Sequence, residues 1–161
     1  MSPYPTCYNL RMRVLLQRVT HGQVSVDGAV TAQIGRGVVL LVGIAHGDTA
    51  AECAYLADKV AQLRIFEDDA GKMNRSLLDV GGEAIVVSQF TLYADTRKGR
   101  RPSFTDAALP GHASPLVDFF AQHLRDAGIR TGQGIFGADM QVQIHNDGPV
   151  TIWLERESPA P

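Results

Sequence analysis

The clearest structural signal in the sequence is the stretch Asn146-Asp147-Gly148-Pro149-Val150-Thr151. Apolar residues alternate with polar ones on both sides of it, at Met140, Val142 and Ile144 before it and at Val150, Ile152 and Leu154 after it. A period of two residues is typical of strands that bury one face. Asn, Asp, Gly and Pro together are turn formers. The pattern therefore predicts two strands joined by a hairpin or a tight link.

Gly148 and Pro149 allow this link backbone conformations that other residues do not. Glycine adopts backbone angles that other residues avoid, and a peptide bond before proline is the only common kind with an accessible cis form. Taken alone, the stretch is most simply interpreted as an ordinary turn. A functional interpretation needs a second motif elsewhere in the chain.

Composition limits the class of protein. The chain has 161 residues, 45% hydrophobic and 20% charged, which is typical of one globular domain with a real core and excludes a disordered chain. The net charge of −2 gives no global basic signature, so any contact with nucleic acid has to use a local patch. No apolar run reaches the roughly 18 residues of a membrane span, so no membrane association is expected.

The cysteines and the chain ends add little chemistry. Cys7 and Cys53 form no paired motif, so neither a disulfide framework nor a zinc site is indicated. We expect no metal, no cofactor and a cytoplasmic location. Residues 1–11 lack the pattern of a signal peptide and are predicted to be a loose arm. The predicted domain is residues 12–158, followed by a short tail at residues 159–161.

The rest of the chain predicts about eight strands and two helices. Residues 14–19 and 38–44 are predicted strands, the second buried on both faces, and residues 24–34 a predicted hairpin around Asp27-Gly28. Asp48-Thr49 is predicted to cap the first helix, and Ser114-Pro115 to cap the second. Residues 65–66 and 83–87 are further predicted strands. The acids at residues 67–69 lack the spacing of a calcium loop and indicate a solvated turn.

Two groups of residues are candidates for chemistry. Ser88 and Thr91 carry hydroxyls at the end of a buried strand, but no base adjoins them in sequence, and a hydroxyl is a poor nucleophile without one. A basic cluster follows at Arg97, Lys98, Arg100 and Arg101. It is either a solvated loop or a loop that contacts phosphates.

Two motifs and six supporting segments stand in a distinctive order. The motifs are Ser88-Gln89-Phe90-Thr91-Leu92 and the opening stretch, and the segments are Gln17-Arg18-Val19, Gly35-Arg36-Gly37, Phe66-Glu67-Asp68, Gly71-Lys72-Met73-Asn74, Arg101-Pro102-Ser103-Phe104 and Phe136-Gly137-Ala138-Asp139-Met140-Gln141-Val142. Together they resemble the D-aminoacyl-tRNA deacylase family over residues 12–157. The N-terminal arm departs from the family, as does His21-Gly22-Gln23, where an Arg-Ala-Ser-like triplet is common. Neither departure touches the two motifs.

The resemblance implies a compact α/β domain, with two helices packed on stacked β-sheets, that acts as a homodimer. It implies hydrolysis of the ester that joins a D-amino acid to the 3′ adenosine of tRNA. It also implies that Gly148 and Pro149, joined by a cis bond, enter the active site of the partner subunit. There they would act as a chiral filter that leaves no room for an L side chain.

The same resemblance assigns the remaining site residues. Ser88, Gln89, Phe90, Thr91 and Met140 would form the substrate pocket, and Arg18 would brace the inserted motif. Gln89, Phe90 and Thr91 would carry the catalytic part, with backbone N–H groups near Phe90 and Thr91 stabilising the oxyanion. The tRNA 2′-hydroxyl would assist attack by water, which makes Thr91 a positioning residue. Because a steric filter cannot exclude hydrogen, glycine mischarged on other tRNAs is an expected substrate too.

Two other classes remain open from the sequence. One is an ester hydrolase for small substrates, with Thr91 or Ser88 as the nucleophile. The other is a tRNA-binding module without catalysis, which the low net charge disfavours.

Overall fold

A computed structural model describes residues 11–158 of the chain. Of the predicted N-terminal arm, only Arg11 falls within this range, as the first residue of a strand. The rest of the arm and the predicted tail lie outside the described residues. The strands are β1 Arg11–Val26, β2 Ala29–Ile34, β3 Gly37–Gly43, β4 Phe66–Glu67, β5 Met73–Arg75, β6 Glu83–Ser88, β7 Thr131–Gln133 and β8 Gln141–Glu157. The helices are α1 Ala50–Gln62, a 3₁₀ helix Phe90–Tyr93 and α2 Pro110–Asp126.

Six strands form the main sheet, in the order β2-β1-β3-β6-β7, with β8 also paired to β1. The β3–β6 and β6–β7 pairs are parallel, and the other pairs are antiparallel. β4 and β5 make a separate two-stranded ribbon. The predicted compact α/β class, with two helices packed on β-sheets, is confirmed, and the main sheet is curled and nearly closed.

Two apolar clusters hold the sheet in place. The larger one packs α1 and α2 against one face, through buried side chains such as Leu16, Leu40, Leu56 and Phe120. The smaller one fills the inside of the curl, where Val24, Val39 and Ile85 meet. β3 contributes side chains to both clusters, which explains why residues 38–44 are a continuous apolar run. None of the helices within residues 11–158 is long and apolar enough to cross a membrane.

Local signals placed several elements correctly. Asp27 and Gly28 both have positive φ, 49° and 80°, as the tight turn between β1 and β2 requires. Thr49 is the N-cap of α1, and the Glu52 carboxylate accepts from the Thr49 N–H at 2.6 Å, so the two form a capping box. Gly128 has a φ of 95° just after the C-cap of α2, where glycine is favoured.

The prediction of two strands joined by a hairpin or a tight link at residues 146–151 is wrong. Both flanking halves belong to the single strand β8, and both pair antiparallel with β1. The register jumps from Gln17↔Thr151 to Val19↔Asn146, so residues 147–150 bulge out opposite Arg18. The alternation on either side predicted strands correctly, but it carries no information on which neighbour each half pairs with.

The predicted start of α2 is also wrong. The helix begins at Pro110, with Leu109 as its N-cap, and Pro115 lies inside it. Proline is favoured at the first helical position, which Pro110 occupies, because its fixed φ suits a helix and its missing N–H is not needed there. The missing N–H of Pro115 leaves the Gly111 carbonyl without its usual helical partner. Gly111 lies in the first turn of the helix and is exposed, so water can hydrogen-bond to its carbonyl.

Candidate active site

An open pocket of about 550 Å³ lies at the carboxyl ends of the parallel strands β3 and β6. Ligands often bind at this edge of a parallel sheet, because the loops that follow the strands converge there. Val42 of β3 pairs with Ser88 of β6, and the Gln89 N–H then donates to the Val42 carbonyl at 2.8 Å. The chain therefore leaves the sheet at the pocket floor and enters the 3₁₀ helix.

The 3₁₀ helix is fastened to the sheet by Tyr93. Its hydroxyl is within hydrogen-bond distance of two backbone carbonyls, 2.6 Å from that of Arg11 and 2.9 Å from that of Gly43. Burial raises the pKa of Tyr93 well above its usual value, so the phenol stays a neutral donor. Gly43 permits this close approach, since a Cβ there would lie 2.8 Å from the Tyr93 ring.

The opposite wall comes from the segments before α2 and before β8. Phe104 meets Phe90 edge to face, with ring centroids 5.0 Å apart, and the Ala108 N–H donates to the Ile44 carbonyl at 2.9 Å. Met140 reaches the pocket because the adjacent Gly134 has no side chain to block it. Sequence reasoning missed Leu109 as a lining residue; it is 71% exposed, and nothing in the sequence distinguishes it from other loop leucines.

The pocket lining is almost entirely apolar. Ser88 and Gln89 supply its polar side chains, and none of the described lining residues is titratable. The Thr91 hydroxyl accepts from the Gln89 side-chain amide instead of facing a base. The N–H groups of Phe90 and Thr91 open the 3₁₀ helix, and the first N–H groups of a helix have no acceptor within it. The arrangement offers donors for a developing oxyanion, but it has no base among the described residues of the lining.

The structure brings one of the two predicted motifs to this pocket. Ser88, Gln89, Phe90 and Met140 line it, and Thr91 is exposed beside it. Gly148 and Pro149 do not line the pocket of their own chain. They lie exposed at the tip of the β8 bulge, where their shared peptide bond is cis.

Arg18 holds the base of the bulge. It is 5% exposed, and its Nη1 donates to the Ile65 carbonyl at 2.7 Å. Its Nε lies 3.3 Å from both the Asp147 carbonyl and the Asp147 carboxylate. The Asn146 amide closes the other side, donating to the Arg18 and Val150 carbonyls at 2.9 Å. These contacts fix a loop that would otherwise be free at an exposed strand edge.

Gly148 is a position where glycine is required. Its φ of 121° lies in the region that L side chains rarely adopt. A Cβ there would approach Val150 at 3.0 Å and the Arg18 guanidinium at 3.1 Å. The tip of the bulge therefore presents backbone and the proline ring.

The basic loop is less uniformly cationic than its sequence indicates. Arg97 pairs with Asp95 through two contacts of 2.9 and 2.7 Å, and these contacts lower the pKa of the Asp95 carboxyl to about 2. Hydrogen bonds of 2.7 and 3.0 Å between Asp95 and Ser103 close the base of the loop. Lys98, Arg100 and Arg101 are exposed on it.

Comparisons with known proteins agree on one family. The model of the D-Tyr-tRNA(Tyr) deacylase family matches residues 15–155. A D-aminoacyl-tRNA deacylase of Thermomicrobium roseum is 66% identical over 144 residues, which are 89% of this chain and 94% of that protein. One from Roseiflexus castenholzii is 62% identical over 144 residues, which are 89% of this chain and 92% of that protein.

Two solved structures share the fold. One, called c-Myc DNA Unwinding Element Binding Protein, has a TM-score of 0.83 and 42% sequence identity, covering 92% of this chain and 99% of that one. The other, a probable eukaryotic D-amino acid tRNA deacylase, has a TM-score of 0.80 over 91% of this chain and 100% of that one. At 19% identity, the second likeness shows the fold alone.

Proposed function

The chain belongs to the D-Tyr-tRNA(Tyr) deacylase family, and we propose that it hydrolyses the ester bond of D-aminoacyl-tRNA to give a free D-amino acid and tRNA. The observation that carries the proposal is the pocket itself. It is apolar, holds no titratable side chain among the described residues, and opens beside the unpaired N–H end of a 3₁₀ helix. Because the substrate is made by the translation machinery, the reaction takes place in the cytoplasm.

The pocket suits a reaction in which the substrate supplies part of the catalysis. Water attacks the ester carbonyl carbon, the N–H groups of Phe90 and Thr91 stabilise the oxyanion, and the bond to the ribose 3′ oxygen breaks. The 2′-hydroxyl of the terminal adenosine relays the proton from the water to the leaving 3′ oxygen. Thr91 positions Gln89 through their hydrogen bond and does not form a covalent intermediate.

Chirality is selected by the partner subunit in a homodimer. Gly148 and Pro149 of one protomer enter the pocket of the other, and their carbonyls bind the substrate α-amino group. The proposal is supported by the exposure of both residues, by the lack of a Cβ at Gly148, and by the contacts that Arg18 makes with Asp147. An L side chain would meet this backbone, whereas a D side chain points away from it.

The same geometry makes glycyl-tRNA a substrate. A filter that acts by excluding a side chain has nothing to exclude in glycine. The enzyme therefore also removes glycine mischarged on other tRNAs.

Two alternatives make different predictions. A small-ester hydrolase with Thr91 or Ser88 as the nucleophile would turn over substrates without tRNA, but no base lies among the described pocket residues to activate either hydroxyl. A nucleic-acid-binding module would bind tRNA without cleaving it. One solved structure of the same fold is named for binding a DNA element, which is the observation that favours this alternative.

The decisive experiment compares three esters side by side: D-tyrosyl-tRNA, L-tyrosyl-tRNA and glycyl-tRNA, each with a protein-free control for spontaneous hydrolysis. We expect fast loss of the D-tyrosyl and glycyl esters, with the L-tyrosyl ester spared. Cleavage of all three would keep the hydrolase and reject the filter. Resistance of glycyl-tRNA alone would reject purely steric exclusion. Cleavage of none would favour the binding module.

A further inference from the structure

Arg13 packs against the 3₁₀ helix and is not among the residues that line the pocket. Its side chain projects from β1 and is 14% exposed. Its Nη1 donates to the Leu92 carbonyl at 2.6 Å, so a full positive charge holds the backbone of the 3₁₀ helix directly. Hydrogen bonds from charged donors are among the stronger ones in proteins.

Two aromatic rings enclose the same guanidinium. Its carbon lies 4.7 Å from the centroid of Tyr93 in the 3₁₀ helix and 5.6 Å from that of Trp153 in β8. Both distances are within the range of cation–π attraction. Arg13 thus joins three elements, because it starts on β1, binds the 3₁₀ helix and stacks on β8.

Glu155 fixes the outer side of this stack. Its Oε1 accepts from the Trp153 indole N–H at 2.8 Å and lies 3.7 Å from Nε of Arg13, within ion-pair range. Its Oε2 pairs with Arg11 at 2.8 Å. The Trp153 hydrogen bond and the two arginines hold the pKa of Glu155 below its usual range. The carboxylate therefore stays charged near neutral pH and holds the Trp153 ring and the Arg13 guanidinium next to each other.

We propose that Arg13 is a positioning residue that sets the orientation of the Phe90 and Thr91 N–H groups. The inference rests on the proposed function, in which those groups stabilise the oxyanion. The 3₁₀ helix has four residues and little stability of its own, so its orientation depends on outside contacts. Leu92 directly follows Thr91, and fixing its carbonyl limits rotation of the peptide units before it. Arg13 is not among the residues that line the pocket and acts only through this helix.

The test is the kinetics of Arg13→Met on D-tyrosyl-tRNA, because methionine keeps much of the length and lacks the charge and the donors. We expect kcat to fall about tenfold to a hundredfold, since a small misplacement of catalytic groups has effects of that size. KM should stay within about threefold of wild type, because the pocket walls that bind substrate are unchanged. Arg13→Lys keeps the charge between the rings and should recover part of kcat.

Arg11→Met is the matched control. It removes a neighbouring positive charge from the same Glu155, and the Arg11 side chain has no hydrogen bond or ion pair to the 3₁₀ helix among the described residues. Its kcat should stay within about threefold of wild type, because Glu155 keeps its contacts with Trp153 and Arg13. A purely structural effect would instead lower the melting temperature and the active fraction of both variants, and would leave kcat per active site unchanged.

The outcomes separate the two proposals. A wild-type protein that does not cleave D-tyrosyl-tRNA would reject the proposed function. An active wild type with Arg13→Met within about threefold of its kcat would overturn the positioning role alone, as would equal losses in Arg13→Met and Arg11→Met. If Arg13→Met does not fold, Arg13→Lys decides: a kcat lowered at an unchanged melting temperature supports the role, and an unchanged kcat overturns it.

Discussion

Thr91 shows how much a single residue's surroundings decide. By type it is a nucleophile candidate, yet its hydroxyl accepts a hydrogen bond from the Gln89 amide and no base lies among the described residues of the adjoining pocket. A serine or threonine nucleophile needs a neighbour to take its proton. The side chain is therefore expected to position Gln89, while in the proposed mechanism the backbone N–H of the same residue stabilises the oxyanion.

We predict that Thr91→Ala keeps substantial activity, with kcat/KM on D-tyrosyl-tRNA lowered by less than about tenfold, the scale of removing one neutral hydrogen bond. Steady-state kinetics with Ser88→Ala as a matched hydroxyl deletion would measure this. A decrease of about a thousandfold or more in Thr91→Ala, with folding and tRNA affinity intact, would restore the covalent mechanism.

At the scale of elements, the basic loop divides into a paired and an unpaired part. The Asp95–Arg97 pair is internally neutral and stabilises the base of the loop. Lys98, Arg100 and Arg101 are exposed beyond it, on the segment between the 3₁₀ helix and Phe104 of the pocket wall. A tRNA whose 3′ end occupies the pocket would bring its phosphates to this side of the protein.

We predict that replacing Lys98, Arg100 and Arg101 together with alanine weakens tRNA binding and flattens its salt dependence. Removing one phosphate contact should lower the slope of log K against log salt by about 0.7 to 0.9. Filter binding across a range of salt concentrations gives the slope. The double variant Asp95→Ala/Arg97→Ala preserves net charge and should leave the slope unchanged. An unchanged slope in the triple variant would show that the loop is solvated and does not contact the tRNA phosphates.

At the scale of the whole molecule, a single chain contains both motifs but does not bring them together in one pocket. Gly148 and Pro149 lie on the β8 bulge, outside the pocket of their own chain. β8 pairs with β1 on one side and has no strand on its other edge within residues 11–158. A long open edge is usually covered in natural proteins. A two-fold dimer would cover it and deliver each motif to the partner's pocket.

Subunit complementation tests this. Gly148→Val should block the partner's pocket, and Ala138→Trp should fill its own, so each homodimer should be inactive. Random mixing by co-expression should restore about a quarter of the wild-type sites, because half of the dimers are mixed and each has one intact site. Wild-type subunits mixed with either variant calibrate the assay. No recovery in dimers shown to be mixed would place the whole site within one chain.

Most of the fold was predictable because its signals are local. The turn at Asp27-Gly28, the capping box at Thr49 and the alternation along both halves of β8 involve residues within a few positions of each other. The start of α2 was misplaced because Pro110 and Pro115 send the same local signal. The hairpin at residues 146–151 was misassigned because turn residues also suit a bulge, and only the pairing with β1 distinguishes the two.

The sequence by itself determined the two motifs, the α/β class and the lack of an adjacent base, since these depend on residue types and short spacings. The tertiary structure alone decided that Arg97 pairs with Asp95, that Arg18 binds the base of the bulge, and that Arg13 binds the 3₁₀ helix. It also separated the Gly148-Pro149 tip from the pocket of its own chain. Most of these facts join residues that are distant along the chain, because which groups meet is decided by how the sheet closes and not by any local pattern.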